Sequence, residues 1–263
     1  MLSKMERLTA VSAEPLEQVR ARIASAQRVV FFTGAGASAE SGIPTFRDAL
    51  TGLWQRFDAE RLASAQGFQS DPALVWGWYE WRRMKTMQAQ PNAGHRAITA
   101  FIREHPEVSV HVVTQNVDDL HERAGTPSVT HLHGSLFSPR CFACGRGANG
   151  ELTESVIEER EEGRRAEPPR CQHCGGKMRP GVVWFGERLP EAEFKHATYV
   201  SQQSDVLIVV GTSGVVEPAA SIVRAAHTAG SCVVQIDPNE TAYVEVDYSI
   251  RGSAATVLPA LLL

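Results

Sequence analysis

The chain has 263 residues, 43% of them hydrophobic, so it can bury a sizeable core, and a disordered or fibrous protein is excluded. Its formal net charge of −4 provides no basic surface of the kind that nucleic-acid-binding proteins carry. The first residues lack the apolar core of a secretory signal, and no apolar run is long enough to span a bilayer. We therefore expect a soluble, cytoplasmic protein with no nucleic-acid or membrane partner. The sequence leaves the oligomeric state open and is compatible with a monomer.

Four short apolar runs, taken in chain order, are each followed by small or polar residues. They are RVVFFTG from Arg28, VSVHVVTQN from Val108, DVLIVVGTS from Asp205 and SCVVQIDPN from Ser231. Their shortness and β-branched content predict buried parallel strands that present ligand groups at their carboxyl ends. Helical patterns separate them, for example from Pro15 and from Glu217. This alternation predicts an α/β fold with a doubly wound, Rossmann-like parallel sheet.

Two segments interrupt the alternation. Residues 48–90 are rich in Trp, Arg and Gln and have helical character, which predicts a small inserted helical module. Residues 139–180 contain four paired cysteines around an acidic stretch, which predicts a small inserted zinc module with four cysteine ligands. The remaining ranges, 1–47, 91–138 and 181–263, are assigned to the Rossmann-like nucleotide-binding domain.

The first predicted strand ends in a glycine-rich turn that fits the pattern G-x-G-x-x-G/A. The turn consists of Gly34, Ala35, Gly36, Ala37, Ser38 and Ala39. Glycine permits a close backbone approach to a pyrophosphate, which the backbone N–H groups can bind. Packing alone also produces such turns, and the pattern supports the two interpretations about equally. Residues 41–44 then break the helix early, which disfavours a hydride-transfer dehydrogenase, and the loop that follows pairs Phe46 with Arg47.

Polar and titratable side chains follow the second predicted strand. They are Gln115, Asn116, Asp118, His131 and His133. The amides and the carboxylate either cap the next helix or converge on a ligand at the strand end, and both roles can hold together. A lone histidine is more often structural, but Gly134 opens space beside His133, and a histidine titrates near neutrality, as a general base must. The residues alone do not separate His131 from His133.

Four of the five cysteines form two C-x-x-C pairs that are separated by 26 residues. The pairs are Cys141 with Cys144 and Cys171 with Cys174. Four thiolates in this arrangement are typical of a tetrahedral structural zinc site with no open position for catalysis. A disulfide or redox pair explains only half of the pattern, and the acidic insert disfavours a nucleic-acid zinc ribbon. The fifth, Cys232, is predicted to be a core residue.

In this order, GAGASAESGIPTFRD, TQNVDD, HLHGS, the two C-x-x-C pairs, GVVWFGE and GTSGVVEP resemble the sirtuins, the family of NAD-dependent protein deacylases. The resemblance extends from about Arg28 to about Pro259. It implies that the protein consumes NAD as a co-substrate, holds one structural Zn²⁺ ion and acts on acylated lysine side chains of other proteins. The implied products are free lysine, nicotinamide and O-acyl-ADP-ribose.

The resemblance also implies roles for individual residues. His133 matches the catalytic base, and Asn116 belongs to the same catalytic set. The implied NAD-binding set is Gly34, Ala35, Gly36, Ala37, Ser38, Phe46, Arg47, Gln115, Asn116, Asp118, Gly211, Thr212, Ser213 and Ala254. The chain departs from the family after its last core strand, where Asp237 replaces a common Asn. Either Asp237 or Asn239 is therefore expected to contact the adenosine ribose.

Two segments match the strands between which a sirtuin substrate adds as a third strand. The implied substrate residues there are Val183, Trp184, Phe185, Gly186 and Glu187 in the first segment and Val215 in the second, which extends from Gly214 to Glu217.

Tyr79 and Arg82 lie three residues apart, and so on one face of a predicted helix. The purely structural interpretation is an aromatic helix that packs on the sheet with its arginines in solvent. The pair also resembles the Tyr-x-x-Arg of the sirtuin branch that removes succinyl, malonyl and glutaryl groups, in which both side chains bind the acyl carboxylate. Ala49 matches a small residue that leaves room for the longer acyl chain. This resemblance implies desuccinylation, demalonylation and deglutarylation, with weaker deacetylation. The alternatives are a deacetylase, a mono-ADP-ribosyltransferase on the same NAD site, and an NAD-binding module without turnover.

Overall fold

The computed structural model describes residues 13–43, 59–148, 165–241, 243 and 245–263. In this part of the chain the strands are β1 Arg28–Thr33, β2 Ser109–Thr114, β3 Val129–His131, β4 Gly134–Cys141, β5 Met178–Val182, β6 Val206–Val210, β7 Cys232–Asp237 and β8 Tyr248–Arg251. Six of them form one parallel sheet in the order β3-β2-β1-β6-β7-β8. The strand order therefore reverses between β1 and β6.

The described helices are α1 Ala13–Ala24, α2 Gly36–Ala39, α3 Ala59–Leu62, α4 Ala65–Ser70, α5 Pro72–Gln88, α6 Ala93–Glu104, α7 Leu120–Arg123, α8 Glu191–Gln202, α9 Ala220–Thr228 and α10 Ala254–Leu262. None of these described helices combines the length and the apolar character that a membrane crossing requires. The cellular compartment of the protein stays a prediction.

Helices cover both faces of the sheet. On β1, Val29 and Phe31 pack with α1, α6 and α10 on one face, whereas Val30 and Phe32 pack with α8 and α9 on the other. Side chains alternate between the two faces of a strand, so a strand that is buried on both faces has an unbroken apolar sequence. The predicted doubly wound parallel sheet is confirmed.

A second, smaller lobe consists of α3, α4, α5, the antiparallel pair β4–β5 and the four paired cysteines. Its core contains Phe68, Trp78 and Tyr79 from the helices, packed against Leu136 of β4 and Val182 of β5. The predicted module boundaries at residues 139 and 180 fall inside β4 and β5, and the domain division stays a prediction.

Candidate active site

Two turns meet where the strand order reverses, after β1 and after β6. The Gly36 N–H donates to the Gly211 carbonyl at 2.8 Å, and the Gly34 N–H donates to the Val210 carbonyl at 2.9 Å. A Cβ atom at Gly34 would lie 2.7 Å from Thr212 Cβ, and one at Gly36 would lie 2.6 Å from Gly211 Cα. The contact between the turns therefore requires glycine, in agreement with the packing interpretation. The same contact lies at the carboxyl edge of the sheet, where open α/β sheets bind their ligands.

The helix that begins within the glycine-rich turn is a single turn long. α2 ends at Ala39, and the chain reverses at Gly42, whose φ of +81° is a left-handed conformation that glycine adopts without strain. This agrees with the predicted early break. Ala37 and Ser38 are buried, and Ala35 is half-buried. The predicted NAD residues Phe46 and Arg47 and the predicted substrate residue Ala49 lie outside the described residues.

A buried cluster of polar side chains lies beside this turn and is called here the polar cluster; it consists of Ser38, Asn116 and Asp118. Asn116 Nδ2 donates to Ser38 Oγ at 3.1 Å, and Ser38 Oγ donates to Asp118 Oδ2 at 2.9 Å. The other Asp118 oxygen accepts from the N–H of Leu120, the first residue of α7, at 3.1 Å. Burial raises the pKa of Asp118, and the bonds from Leu120 and Ser38 oppose this shift. Asp118 thus accepts a hydrogen bond from the first turn of α7 and, at the same time, one from Ser38 of the polar cluster.

Gln115 joins the end of β2 to the second turn. Its Nε2 donates to Thr212 Oγ1 at 2.9 Å. Thr212 is buried, whereas Ser213 is exposed. The described NAD residues that are predicted after β1, β2 and β6 therefore lie at one edge of the sheet.

His131 and His133 differ in their partners. His131 Nδ1 contacts the Asn116 carbonyl at 3.0 Å, and its Nε2 contacts Glu122 Oε1 at 2.7 Å, so both ring nitrogens are engaged. His133 Nδ1 contacts the Gln115 carbonyl at 2.9 Å. A carbonyl only accepts, which assigns the hydrogen of neutral His133 to Nδ1 and leaves Nε2 as the proton acceptor. No described residue hydrogen-bonds His133 Nε2, so the arrangement suits His133 for general-base catalysis.

Tyr79 and Arg82 lie between the polar cluster and the 183–187 segment. Tyr79 is 3% exposed, and its hydroxyl accepts a hydrogen bond from Trp184 Nε1 at 3.1 Å. The guanidinium carbon of half-buried Arg82 lies 5.1 Å from the Trp78 ring centroid and 5.6 Å from that of Tyr79. Burial lowers the pKa of Arg82, while the charge and hydrogen bond of Tyr79 and the charge of Asp118 oppose this shift. The Arg82 guanidinium therefore packs against aromatic rings, and the assignment of Tyr79 and Arg82 to acyl binding stays a prediction.

The two predicted substrate segments both reach the surface. The Val183 N–H donates to the His133 carbonyl at 2.8 Å, and the Phe185 N–H donates to the Ala63 carbonyl at 2.9 Å. The Phe185 and Val215 side chains are 52% and 54% exposed, so both segments present apolar groups to solvent. Neither segment is part of a strand, apart from a single parallel bridge between Ser64 and Phe185.

Two of the predicted substrate residues are engaged within the protein. Trp184 is 1% exposed. Glu187 Oε2 accepts from the Trp184 N–H and from Arg179 Nη2, both at 2.9 Å. Gly186, with a φ of +83°, makes the turn between them. These contacts indicate that Trp184 and Glu187 shape the segment, while Phe185 is its exposed group.

The remaining predicted NAD residues that the structure describes are Asp237 and Asn239, of which one is expected to contact the adenosine ribose, and Ala254. Asp237, the last residue of β7, accepts from the Asn239 N–H at 2.8 Å, and burial raises its pKa. The two residues form one turn, so the choice between them stays open. Ala254 is buried at the start of α10, and the next N–H donates to Glu40 Oε2 at 2.8 Å. α10 is thereby tied to the chain that follows the glycine-rich turn.

Asn92 is a further residue that positions the glycine-rich turn. Its Nδ2 donates to the Ala37 carbonyl at 2.8 Å, and its Oδ1 accepts from the Gly94 N–H at 2.9 Å, so it caps α6 and holds the turn together. Asn92 is not among the site residues predicted from the sequence. The available signal was PNAGH, in which Asn precedes a helix and His95 completes a capping box.

The four paired cysteines lie together at the far end of β4–β5. Their Sγ atoms all lie within 4.8 Å of one another, with 3.4 Å between Cys141 and Cys174 and 3.8 Å between Cys144 and Cys171. Both pairs form the same turn, closed by Gly145 and Gly175 with φ of +73° and +72°. Four converging thiols fit a tetrahedral Zn²⁺ ion with no open coordination position, as predicted.

Comparison with known proteins agrees with this arrangement. The sequence profile of the Sir2 family matches residues 34–218. The chain is similar to NAD-dependent protein deacylase 1 of Pseudomonas aeruginosa, with 55% identity over 242 residues that cover 91% of this chain and 95% of that protein. It is also similar to the NAD-dependent protein deacylase of Methylococcus capsulatus, with 49% identity over 247 residues, 94% of this chain and 95% of that protein.

Two solved structures are similar to the whole fold. One is a Sir2 homologue–NAD complex, with a TM-score of 0.83, 44% identity and coverage of 94% of this chain and 92% of that chain. The other is a Sir2 protein bound to an acetylated peptide, with a TM-score of 0.76, 26% identity and coverage of 92% and 95%. The fold, the converging site and these relatives together establish that the chain belongs to the Sir2 family of NAD-dependent protein deacylases.

Proposed function

We propose that the protein removes acyl groups from protein lysine side chains with NAD as co-substrate, and that it prefers acyl groups that end in a carboxylate, such as succinyl, malonyl and glutaryl. Family membership supports the reaction. One observation supports the acyl preference: the Arg82 guanidinium lies against the Tyr79 ring and interacts electrostatically with Asp118 of the polar cluster.

A buried face with a guanidinium and a phenol is suited to bind a carboxylate. The guanidinium offers several donors in a planar fork, and hydrogen bonds to a charged group are stronger than neutral ones. Partial burial of Arg82 between aromatic rings reduces its hydration, so an anion in that position gains more than it would in water. An acetyl group has no carboxylate to bind there.

The described residues fit NAD. The two glycine turns meet at the carboxyl edge of the sheet, where open α/β sheets bind nucleotides, and the polar cluster offers hydroxyl, amide and carboxylate groups for a ribose and a carboxamide. When bound, NAD supplies an electrophilic sugar carbon and the sugar hydroxyl whose proton must be removed. We propose that Nε2 of His133 accepts that proton. The hydrogen bond between Nδ1 and the Gln115 carbonyl orients the ring. The four paired cysteines would hold a Zn²⁺ ion that stabilises the small lobe and, with no open coordination position, would take no part in the chemistry.

The test compares kcat/KM for acetylated and succinylated forms of one peptide, with wild type and Arg82→Met. We expect wild type to prefer the succinylated peptide, and we expect Arg82→Met to cost that peptide about 2–5 kcal/mol of transition-state binding. The succinyl-to-acetyl ratio cancels general damage to the protein. Arg103→Met, which removes an exposed guanidinium from α6, is the control and should leave the ratio unchanged.

Two outcomes would contradict the proposal. If wild type prefers the acetylated peptide, or if Arg82→Met lowers both activities equally, the protein is mainly a deacetylase. Mass analysis of the products decides the other alternative, because transfer of ADP-ribose to the peptide would indicate a mono-ADP-ribosyltransferase.

A further inference from the structure

The indole of Trp184 is held from three sides. The backbone N–H of Trp184 donates to Glu187 Oε2 at 2.9 Å, and the same Glu187 oxygen accepts from Arg179 Nη2. The Arg179 guanidinium carbon lies 3.4 Å from the centroid of the Trp184 ring, and Phe68 packs on it at 5.5 Å between centroids. At the ring edge, Nε1 donates to the Tyr79 hydroxyl at 3.1 Å. The indole therefore has one fixed orientation.

This fixed indole restricts the Tyr79 hydroxyl. An indole N–H and a guanidinium can only donate, so Tyr79 must accept in its hydrogen bonds with Trp184 and Arg82. The hydrogen of the hydroxyl must then point away from both donors. Burial raises the pKa of Tyr79 to about 12, so the hydroxyl keeps that hydrogen at neutral pH.

We propose that Trp184 is a positioning residue for acyl specificity, which, by donating to the Tyr79 oxygen, fixes the Tyr79 hydroxyl as a hydrogen-bond donor toward an acyl carboxylate. This inference rests on the proposed preference for acyl groups that end in a carboxylate. It assigns Trp184 a role through Tyr79, in place of the direct substrate contact that the resemblance implies. A donor that is oriented in advance loses less entropy when it binds an anion.

The experiment measures kcat/KM for matched succinylated and acetylated peptides with wild type, Trp184→Phe, Tyr79→Phe and the double variant. Trp184→Phe keeps an aromatic ring and removes the N–H. We expect it to lower the succinyl-to-acetyl ratio about 3- to 10-fold, the range for one neutral hydrogen bond, mainly through KM of the succinylated peptide. In the Tyr79→Phe background the same change should leave the ratio unaltered, because the hydroxyl it orients is gone.

Trp76→Phe is the matched control. It removes an indole from the same helix as Tyr79, but Trp76 packs on Cys141, Cys171 and Met178, so the ratio should stay at the wild-type value. If Trp184→Phe lowers both activities equally, or lowers the ratio as much in the Tyr79→Phe background as in wild type, the indole only packs and the inference is wrong. A wild type that prefers the acetylated peptide would instead overturn the proposed function.

A second measurement does not depend on how Trp184→Phe folds. In protein with ¹⁵N-labelled tryptophan, Tyr79→Phe should displace the indole resonance of Trp184, which identifies it. Addition of succinylated peptide to wild type should shift this resonance more than addition of acetylated peptide, because the carboxylate polarises the Tyr79 hydroxyl. Equal shifts with both peptides would overturn the inference.

Discussion

His133 and His131 occupy similar positions in the chain but differ in charge. Burial lowers the pKa of His133, and the hydrogen bond with the Gln115 carbonyl opposes this only in part. For His131, burial acts in the same direction, but the hydrogen bond and charge of Glu122 outweigh it and raise the pKa. His133 is therefore neutral and able to accept a proton under conditions in which His131 is charged and paired with Glu122.

We expect His133→Ala to lower kcat/KM by about 10²–10⁴-fold, the usual contribution of a general base, while calorimetry shows much of the NAD affinity retained. Because the active form is neutral and its pKa is depressed, the acidic limb of wild-type kcat/KM against pH should have its midpoint below 6.5. His131→Gln is the control and should lose less than about tenfold, since the site needs no proton acceptor there. Near-wild-type turnover by His133→Ala would contradict the assignment.

Residue types and spacing predicted which side chains belong to the site, but not how each is bonded. Both histidines precede a glycine within three positions, so residue types and spacing alone do not choose between them, and only the family resemblance selects His133. What distinguishes the two histidines is Glu122, whose carboxylate contacts His131 and not His133. Glu122 belongs to α7, nine residues before His131 in the chain. Likewise, the resemblance placed Trp184 at the substrate, whereas the structure places its side chain in the interior. Partners of this kind are set by tertiary packing and have no local signature.

At the scale of elements, the four central strands could be predicted because a strand that is buried on both faces has a continuous apolar sequence. β3 and β8 were missed. They are the edge strands of the sheet, three and four residues long, and most of their side chains are partly or fully exposed. An edge strand of this length lacks the apolar run by which a central strand is recognised.

The contact between the turns after β1 and β6 leads to a stability prediction. A Cβ atom at Gly36 would lie 2.6 Å from Gly211 Cα and 3.0 Å from the Gly211 carbonyl oxygen, and backbone atoms cannot rotate away. We expect Gly36→Ala to lower the free energy of unfolding by about 1–3 kcal/mol, the usual cost of overpacking, and to weaken NAD binding because the turns separate.

Urea unfolding and calorimetric titration with NAD measure these two effects. Gly147→Ala is the control, since a Cβ atom there has no neighbour within 4 Å among the described residues. It should change the free energy of unfolding by less than about 0.5 kcal/mol. Equal stability of Gly36→Ala and wild type would show that the turns can separate at no cost.

At the scale of the whole molecule, two buried histidines connect the sheet to its helices. His121 Nε2 lies 3.0 Å from Thr33 Oγ1, which donates to Thr114 Oγ1 at 2.8 Å, so the ends of β1 and β2 and the helix α7 share one network. The His95 ring lies 4.8 Å from the His121 ring, edge to face. Burial lowers the pKa of His95 to about 4 and that of His121 well below 6.5.

Both depressed pKa values predict loss of stability in acid. The unfolded chain binds protons at these histidines below about pH 6.5 and the folded chain does not, so stability falls as the pH drops from 6.5 toward 4 for His95. For His95 this slope is at most about 1.4 kcal/mol per pH unit, and the depressed pKa of His121 acts in the same direction. Urea unfolding at several pH values should give a shallower slope for His95→Gln than for wild type. Met87→Gln, which replaces an exposed side chain without a titratable group on α5, should keep the wild-type slope, and identical slopes for all three proteins would contradict the prediction.

The hydrogen bond between the Val183 N–H and the His133 carbonyl lies where the small lobe joins the sheet, directly before β4 and after β5. The cysteines lie at the other end of β4, at most about 23 Å away for eight residues of extended chain. In a rigid rotation about the junction, displacement grows with distance from the axis, so a tilt of about 5° moves the metal end by about 2 Å. The proton acceptor lies at the axis and hardly moves. A force applied at the metal end would therefore tilt the small lobe against the sheet without displacing His133 from the Gln115 carbonyl that orients it.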